Sequence, residues 1–262
     1  MTYPRRPAGT DEDRPLKFKS GRAPSNRMYH KSMQSCLPGD RRAVHPVLRQ
    51  IHSDGAVLTQ IEPLLLDEEA DYIAKLAEKE GFALSEIGNG TGQATKYRTS
   101  RTAVLHERNA VVDCIRDRLA TIAGMSAKKF EPLQVVDYAY DQEYKAHLDA
   151  SAPERETDRL KTFFVYLKGD GLEDGRCGGA TAFYRLRNKD GRPVRVYPKK
   201  GRALLWSNFH SDGRLNTRTL HAGEKVTCKG AKKLGMNAWL LGRPAKRRKC
   251  HRKKPPKKLF FP

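Results

Sequence analysis

No run of apolar residues in this 262-residue chain approaches the ~20 needed to cross a bilayer, which argues against a membrane-spanning helix. The opening stretch, MTYPRRPAGTDEDRP, has no apolar core of the kind a signal peptide carries, so secretion by the usual route is not expected. The five cysteines (Cys36, Cys114, Cys177, Cys228, Cys250) are odd in number, scattered, and form no Cys-x-x-Cys pair. That pattern argues against a disulfide framework or a zinc ribbon and predicts free thiols in a reducing, cytoplasmic or nuclear compartment. No internal repeat is visible.

Acidic residues are scarce at both ends. The formal net charge is +21, but residues 1–45 carry 10 basic and 4 acidic side chains, and residues 243–262 carry 10 basic and none acidic. The middle is left with about +5, an ordinary balance for a folded domain. Residues 1–46 mix Pro, Gly, Arg and Ser without apolar periodicity and read as a basic, disordered segment. The block KRRKCHRKKPPKK within 245–262 reads as a solvated tail or as a nuclear-localisation-like segment able to touch nucleic acid or another polyanion non-specifically. Residues 47–244 are the expected domain.

Two helices are legible inside it. Asp67-Glu68-Glu69 opens an apolar stripe through Ile73, Leu76 and Ala77 that ends at Gly81, and Val111, Val112, Ile115, Leu119 and Ile122 recur at helical spacing from Asn109 to Gly124. Beyond them the period shortens. Segments 133–140, 161–167, 181–186, 194–198, 202–206 and 237–241 are β-branched or aromatic and separated by Gly, Asp and Lys. The fold class expected is mainly β with flanking helices (α+β), a sandwich or barrel core with the helices packed outside.

The segment Tyr144-Lys-Ala-His147-Leu-Asp149 carries the chemistry. Residues i and i+2 of an extended strand project from the same face, so an imidazole and a carboxylate stand together. His221 in RTLHAG offers a third donor 72 residues after Asp149. Two histidines and one carboxylate leave coordination positions open, as in non-haem Fe(II) oxygenases. An isolated His-x-Asp pair is weak evidence, and His221 alone reads equally well as a histidine bonded to backbone near a turn.

From about Val47 to Pro244, roughly three quarters of the chain, the sequence resembles the prolyl 4-hydroxylase family of 2-oxoglutarate/Fe(II) dioxygenases. The landmarks fall in the family's order: Arg98-Thr99-Ser100, LQVVDYAYDQEYKAHLD (133–149), Arg159 and Thr162 ahead of Tyr166-Leu167, GGATAF (178–183), PKKGRALLW (198–206), RTLHAG (218–223) and NAWL (237–240). The resemblance implies a double-stranded β-helix (jelly-roll) core and iron held by His147, Asp149 and His221 as metal and catalytic residues. It implies Fe(II), 2-oxoglutarate and O2, with ascorbate as reductant, and a proline-containing peptide or protein as substrate. The reaction implied is prolyl 4-hydroxylation, coupled to conversion of 2-oxoglutarate to succinate and CO2.

For the far carboxylate of 2-oxoglutarate the resemblance implies a lysine, with Tyr138 and Thr181 as hydroxyl partners. Both Lys232 and Lys233 are candidates. Lys233 keeps the family's six-residue step to Trp239 and is preferred, whereas Lys232 keeps the Gly-x-Lys pattern. Tyr138 also shares strand parity with Val136 and Tyr140, so plain core packing stays open for it. Tyr144, Arg159, Arg98, Ser100 and Trp239 match substrate-side positions. Ala146, Leu241 and Glu224-Lys225 depart from the common pattern and bear on peptide preference. Alternatives are a related oxygenase acting on lysyl residues or nucleic acid, and an inactive polyanion-binding relative.

Overall fold

The computed structural model describes residues 26–28, 33–85, 97–105, 109–151 and 158–242. Residues 1–25 and 243–262, which hold most of the two basic segments, lie outside the described residues, as does Cys250.

Among the described residues, fifteen strands and two α-helices run in the order β1 (Asn26–Met28), β2 (Met33–Gln34), β3 (Ala43–Val44), β4 (Val47–His52), β5 (Leu58–Glu62), α1 (Asp67–Glu80), β6 (Ala83–Leu84), β7 (Arg101–Val104), α2 (Ala110–Ala123), β8 (Gln134–Tyr138), β9 (Tyr144–His147), β10 (Arg159–Asp170), β11 (Thr181–Arg187), β12 (Pro193–Val196), β13 (Ala203–Ser207), β14 (His221–Gly223) and β15 (Lys232–Leu241). The large sheet runs β1-β4-β5-β13-β10-β15-β8-β7-β6, and the small one β12-β11-β14-β9. Every strand pair within these two sheets is antiparallel. The two sheets make the expected jelly-roll.

Both helices form where their caps dictate. The Asn109 side chain accepts hydrogen bonds from Val111 N (2.9 Å) and Val112 N (3.3 Å), and Gly124 ends α2 in the left-handed region at φ 65°. Three acids occupy the first turn of α1, where the helix dipole favours negative charge. The apolar stripes of both helices pack on one face of the large sheet, against Phe163, Val165 and Leu167 of β10. Phe164 and Tyr166, of opposite parity, point to the other face and join Phe183, Leu204 and Trp206 between the sheets. A strand buried on both faces reads as a continuous apolar run, which is what FFVYL is.

Two expectations are corrected. Residues 33–46 are not a disordered leader: β2 and β3 pair, Cys36 N donates to Glu69 Oε1 (2.6 Å), and the buried Arg118 donates to Gln34 O (2.8 Å) and to both oxygens of Glu69 (2.7 Å each). A buried ion pair that also ties down backbone groups supplies order that apolar periodicity does not reveal. The four cysteines among the described residues are not free thiols either, since Cys36 is bonded to Cys114 and Cys177 to Cys228. The partners stand 78 and 51 residues apart, so no local spacing betrays them. The inference of a reducing compartment rested on free thiols and loses its footing. No helix among the described residues is long and apolar enough to cross a membrane.

Candidate metal centre and co-substrate pocket

His147 closes β9, His221 opens β14, and the two are cross-strand partners in the small sheet. Asp149 follows His147 by two residues. One ligand atom from each of the three lies within 4.8 Å of the others. His147 Nε2 is 3.7 Å from Asp149 Oδ1, and His221 Nε2 is 3.8 Å from Asp149 Oδ2. Each imidazole spends Nδ1 on a backbone carbonyl: His147 Nδ1 is 2.9 Å from Lys145 O, and His221 Nδ1 is 2.9 Å from Thr219 O. A carbonyl only accepts, so both Nδ1 atoms carry the proton and both Nε2 lone pairs turn inward.

Burial, helped by the neighbouring His221, pushes His147 down to about 3, so its ring is neutral and able to ligate. Burial opposes ionisation of Asp149, but the two imidazoles, Arg159 and the hydrogen bond from Thr162 outweigh it, and its carboxyl is held below its ordinary range. Two imidazoles with Nδ1 tied back to carbonyls and one carboxylate, converging without an intervening cation, fit a divalent metal of the Fe(II) type.

A second polar group lies between the sheets. Lys233 is 1% exposed, and its Nζ finds only the Thr181 hydroxyl, at 3.4 Å. The Nζ sits 5.1 Å from the Tyr138 ring centroid, 5.2 Å from Phe164 and 5.8 Å from Tyr166. Thr181 Oγ1 is also 2.8 Å from the Tyr166 hydroxyl. No carboxylate among the described residues pairs with this ammonium, and a buried cation without an anion is costly. Such a pocket fits one end of a dicarboxylate. Burial pushes Lys233 down to about 7, with Glu224 opposing, and pushes Tyr138 up to about 12.

Strand parity separates the two lysine candidates. Lys233, Gly235 and Trp239 lie on the inner face of β15, whereas Leu234, Met236 and Ala238 face the helices. Lys232 is part-exposed and its Nζ lies 3.4 Å from Asp137 Oδ2, outside the pocket. The Lys232 alternative is corrected accordingly.

The substrate-side residues divide. Tyr144 stacks on His147 (centroids 3.6 Å apart, planes at 16°), with the Arg98 guanidinium 4.6 Å from the same ring. Residues 97–99 pair with 143–145, through Thr99 N to Glu143 O and Lys145 N to Tyr97 O (both 3.0 Å), and so border the metal centre. Arg159 lies 3.5 Å above the Trp239 ring and is gripped by both oxygens of Glu131 (2.6 and 3.0 Å). Ser100 differs from expectation. It is fully buried, with its hydroxyl 3.0 Å from Ser85 Oγ, and bonds the Tyr138 hydroxyl. It supports the pocket wall and cannot touch a peptide from that position.

Sequence reasoning passed over Phe164 and Tyr166, the aromatic walls of the Lys233 pocket, although the i, i+2 parity of Thr162, Phe164 and Tyr166 carried the signal. It also passed over Asn208 and Glu131, whose partners are distant in sequence and leave no local trace.

Comparison with known proteins agrees with this geometry. The sequence model of the 2OG-Fe(II) oxygenase superfamily matches residues 133–241. Prolyl 4-hydroxylase subunit alpha-2 of Gallus gallus is 29% identical over 188 residues, covering 68% of this chain and 33% of that protein. Prolyl 4-hydroxylase 2 of Arabidopsis thaliana is 30% identical over 184 residues, covering 62% and 60% respectively. The chain thus spans between a third and three fifths of the length of these two relatives. Among solved structures, the viral collagen prolyl hydroxylase of Paramecium Bursaria Chlorella virus-1, in its 2OG complex, superposes with a TM-score of 0.56. It is 25% identical, with 70% of this chain and 95% of that chain covered.

Proposed function

We propose that this chain, which matches the 2OG-Fe(II) oxygenase superfamily over residues 133–241 and is similar to prolyl 4-hydroxylases, hydroxylates prolyl residues of a peptide or protein at C4. The observation that carries the proposal is the convergence of His147, Asp149 and His221 within 4.8 Å, together with the buried Lys233, which no carboxylate among the described residues pairs. His147 Nε2, His221 Nε2 and an Asp149 oxygen would hold Fe(II). Lys233, with Thr181 and Tyr138 beside it, would take the far carboxylate of 2-oxoglutarate. Bound Fe(II) supplies the reductive activation of O2, coupled to decarboxylation of 2-oxoglutarate, so that one oxygen atom enters succinate and the other a prolyl C4–H bond.

The protein's own share is placement. The Nδ1–carbonyl bonds fix the two imidazoles, the aromatic walls around Lys233 keep water from the pocket, and Tyr144, held between His147 and Arg98, would border a pyrrolidine with its ring edge. Ascorbate would serve as the reductant that keeps the iron ferrous.

The test is incubation with Fe(II), 2-oxoglutarate and a proline-rich peptide library, read by mass spectrometry. We expect addition of one oxygen atom to proline with one succinate per event, and loss of both to background in His147→Ala and in Asp149→Ala. Wild-type succinate yield in either variant would overturn the ligand set, and oxygen on lysine in place of proline would overturn the substrate.

A further inference from the structure

Behind Asp149 runs a chain of buried hydrogen bonds whose polarity is fixed at every step. Trp206 Nε1 can only donate, and it lies 2.9 Å from Asn208 Oδ1. That contact orients the Asn208 amide, so its Nδ2 faces Arg159 O (2.9 Å) and Thr162 Oγ1 (3.0 Å) as donor. The Thr162 oxygen therefore receives a proton from Asn208, and its own proton goes to Asp149 Oδ2, 2.7 Å away. Thr162, Asn208 and Trp206 are all 2% exposed or less, so water does not compete for these bonds.

We infer that Thr162 and Asn208 are positioning residues for the metal centre: Asn208 aims the Thr162 hydroxyl at Asp149 Oδ2, leaving Oδ1 as the single carboxylate oxygen for the metal. The inference rests on the reading of His147, Asp149 and His221 as ligands. Two consequences follow from the geometry. The carboxylate plane is fixed before the metal arrives, which lowers the ordering cost of binding. The carboxylate is also kept from closing onto the metal with both oxygens, which would use up a position that co-substrate or O2 needs. The chain gathers distant segments: Thr162 comes from β10, Trp206 from β13 with Asn208 just beyond it, and Asp149 from the bend after β9.

The experiment measures the Fe(II) dissociation constant by competition with a chromophoric chelator, without 2-oxoglutarate or peptide, on full-length protein. Thr162→Val removes the hydroxyl at nearly constant volume and is expected to weaken Fe(II) binding about 10- to 100-fold, the usual effect of losing a partner of a metal ligand. Thr162→Ser restores the donor and should return the constant to within about threefold of wild type. Asn208→Asp keeps the bond from Trp206 but turns position 208 into an acceptor facing Thr162, drawing its proton away from Asp149. It should lose affinity as Thr162→Val does, and the double variant should lose little more than either alone.

Unfolding midpoints recorded in excess chelator separate affinity from a general loss of fold. Wild-type Fe(II) affinity in a folded Thr162→Val, or failure of Thr162→Ser to recover, would overturn the inference while leaving the ligand set standing. Wild-type protein that binds Fe(II) no better than His147→Ala would overturn the ligand set and this inference with it. If Asn208→Asp does not fold, the Thr162 pair decides alone.

Discussion

At the scale of a single residue, Lys233 holds the most consequential charge outside the metal centre. Its surroundings are the rings of Tyr138, Phe164 and Tyr166 and the Thr181 hydroxyl, with Glu224 the one charged group that favours its protonation. Because burial lowers it to about 7, the free protein holds it largely neutral above that pH. A dicarboxylate needs the ammonium, so binding must draw a proton onto Lys233. Co-substrate affinity should then fall as pH rises beyond 7, approaching tenfold per unit. Calorimetry in buffers of different ionisation enthalpy reads this as proton uptake, and pH-independent affinity between 7 and 9 would contradict it.

Stability should move the opposite way. Between about 7 and 10.5 the unfolded chain holds a proton on this lysine that the folded chain lacks, so this residue's contribution to stability rises with pH across that window. Lys233→Met should weaken 2-oxoglutarate binding by two orders of magnitude or more, on the order of the 3–5 kcal/mol for an unpaired buried charge. Lys232→Met, on the outer face, should leave it unchanged. The sequence carried the basis for this distinction. Shared parity with Trp239 placed Lys233 inside, but nothing local showed that the cavity around it would be aromatic and without an anion.

Among the elements, β15 shows how backbone economy shapes that cavity. Gly235 follows Lys233 by two residues on the same face, and a Cβ there would come within 2.3 Å of Phe164 Cζ. The glycine lets the Phe164 ring lie against the strand and wall the lysine. Gly235→Ala should displace that ring and destabilise the fold by about 1–3 kcal/mol, the usual cost of overfilling a core, seen as a lower urea midpoint at unchanged slope. An unchanged midpoint would mean the ring relaxes at no cost.

Elements with strong local signals were readable. α1 and α2 begin and end where acids, Asn109 and the closing glycines say they should, and β8, β10, β11, β12 and β13 lie within a few residues of their apolar runs, whereas β14 has no such run and β15 starts earlier than its run. That start was missed because Lys-Lys-Leu-Gly looks like a loop when the reason for a buried lysine and an interior glycine lies on neighbouring strands. β4 and β5 were missed because VLRQIH and LTQIE are only half apolar. β5 joins the large sheet by pairing with β13, and β4 by pairing with β5; the long-range β5–β13 pairing is invisible to periodicity.

At the scale of the whole molecule, the described residues carry two disulfides, each with a different role. Cys36–Cys114 fastens the β2–β3 hairpin to α2 beside the buried Arg118–Glu69 pair, on the side of the large sheet away from the metal centre. Cys177–Cys228 joins the turn leading into Thr181 to the loop leading into Lys233, and so spans the two segments that build the co-substrate pocket. In chain-entropy terms, closing loops of 78 and 51 residues stabilises by about 4 kcal/mol each. Cys36→Ser/Cys114→Ser should therefore lower the unfolding free energy by roughly that amount and leave 2-oxoglutarate affinity where it was. Cys177→Ser/Cys228→Ser should cost a similar amount of stability and also weaken 2-oxoglutarate binding, because Thr181 and Lys233 lose their common anchor. Denaturant titration paired with calorimetric 2-oxoglutarate binding on the two double variants reads both quantities. Equal effects of the two on affinity would mean that Cys177–Cys228 has no special hold on the pocket. A reductant that weakens binding in wild type and in Cys36→Ser/Cys114→Ser, but not in Cys177→Ser/Cys228→Ser, would trace the effect to this one bond.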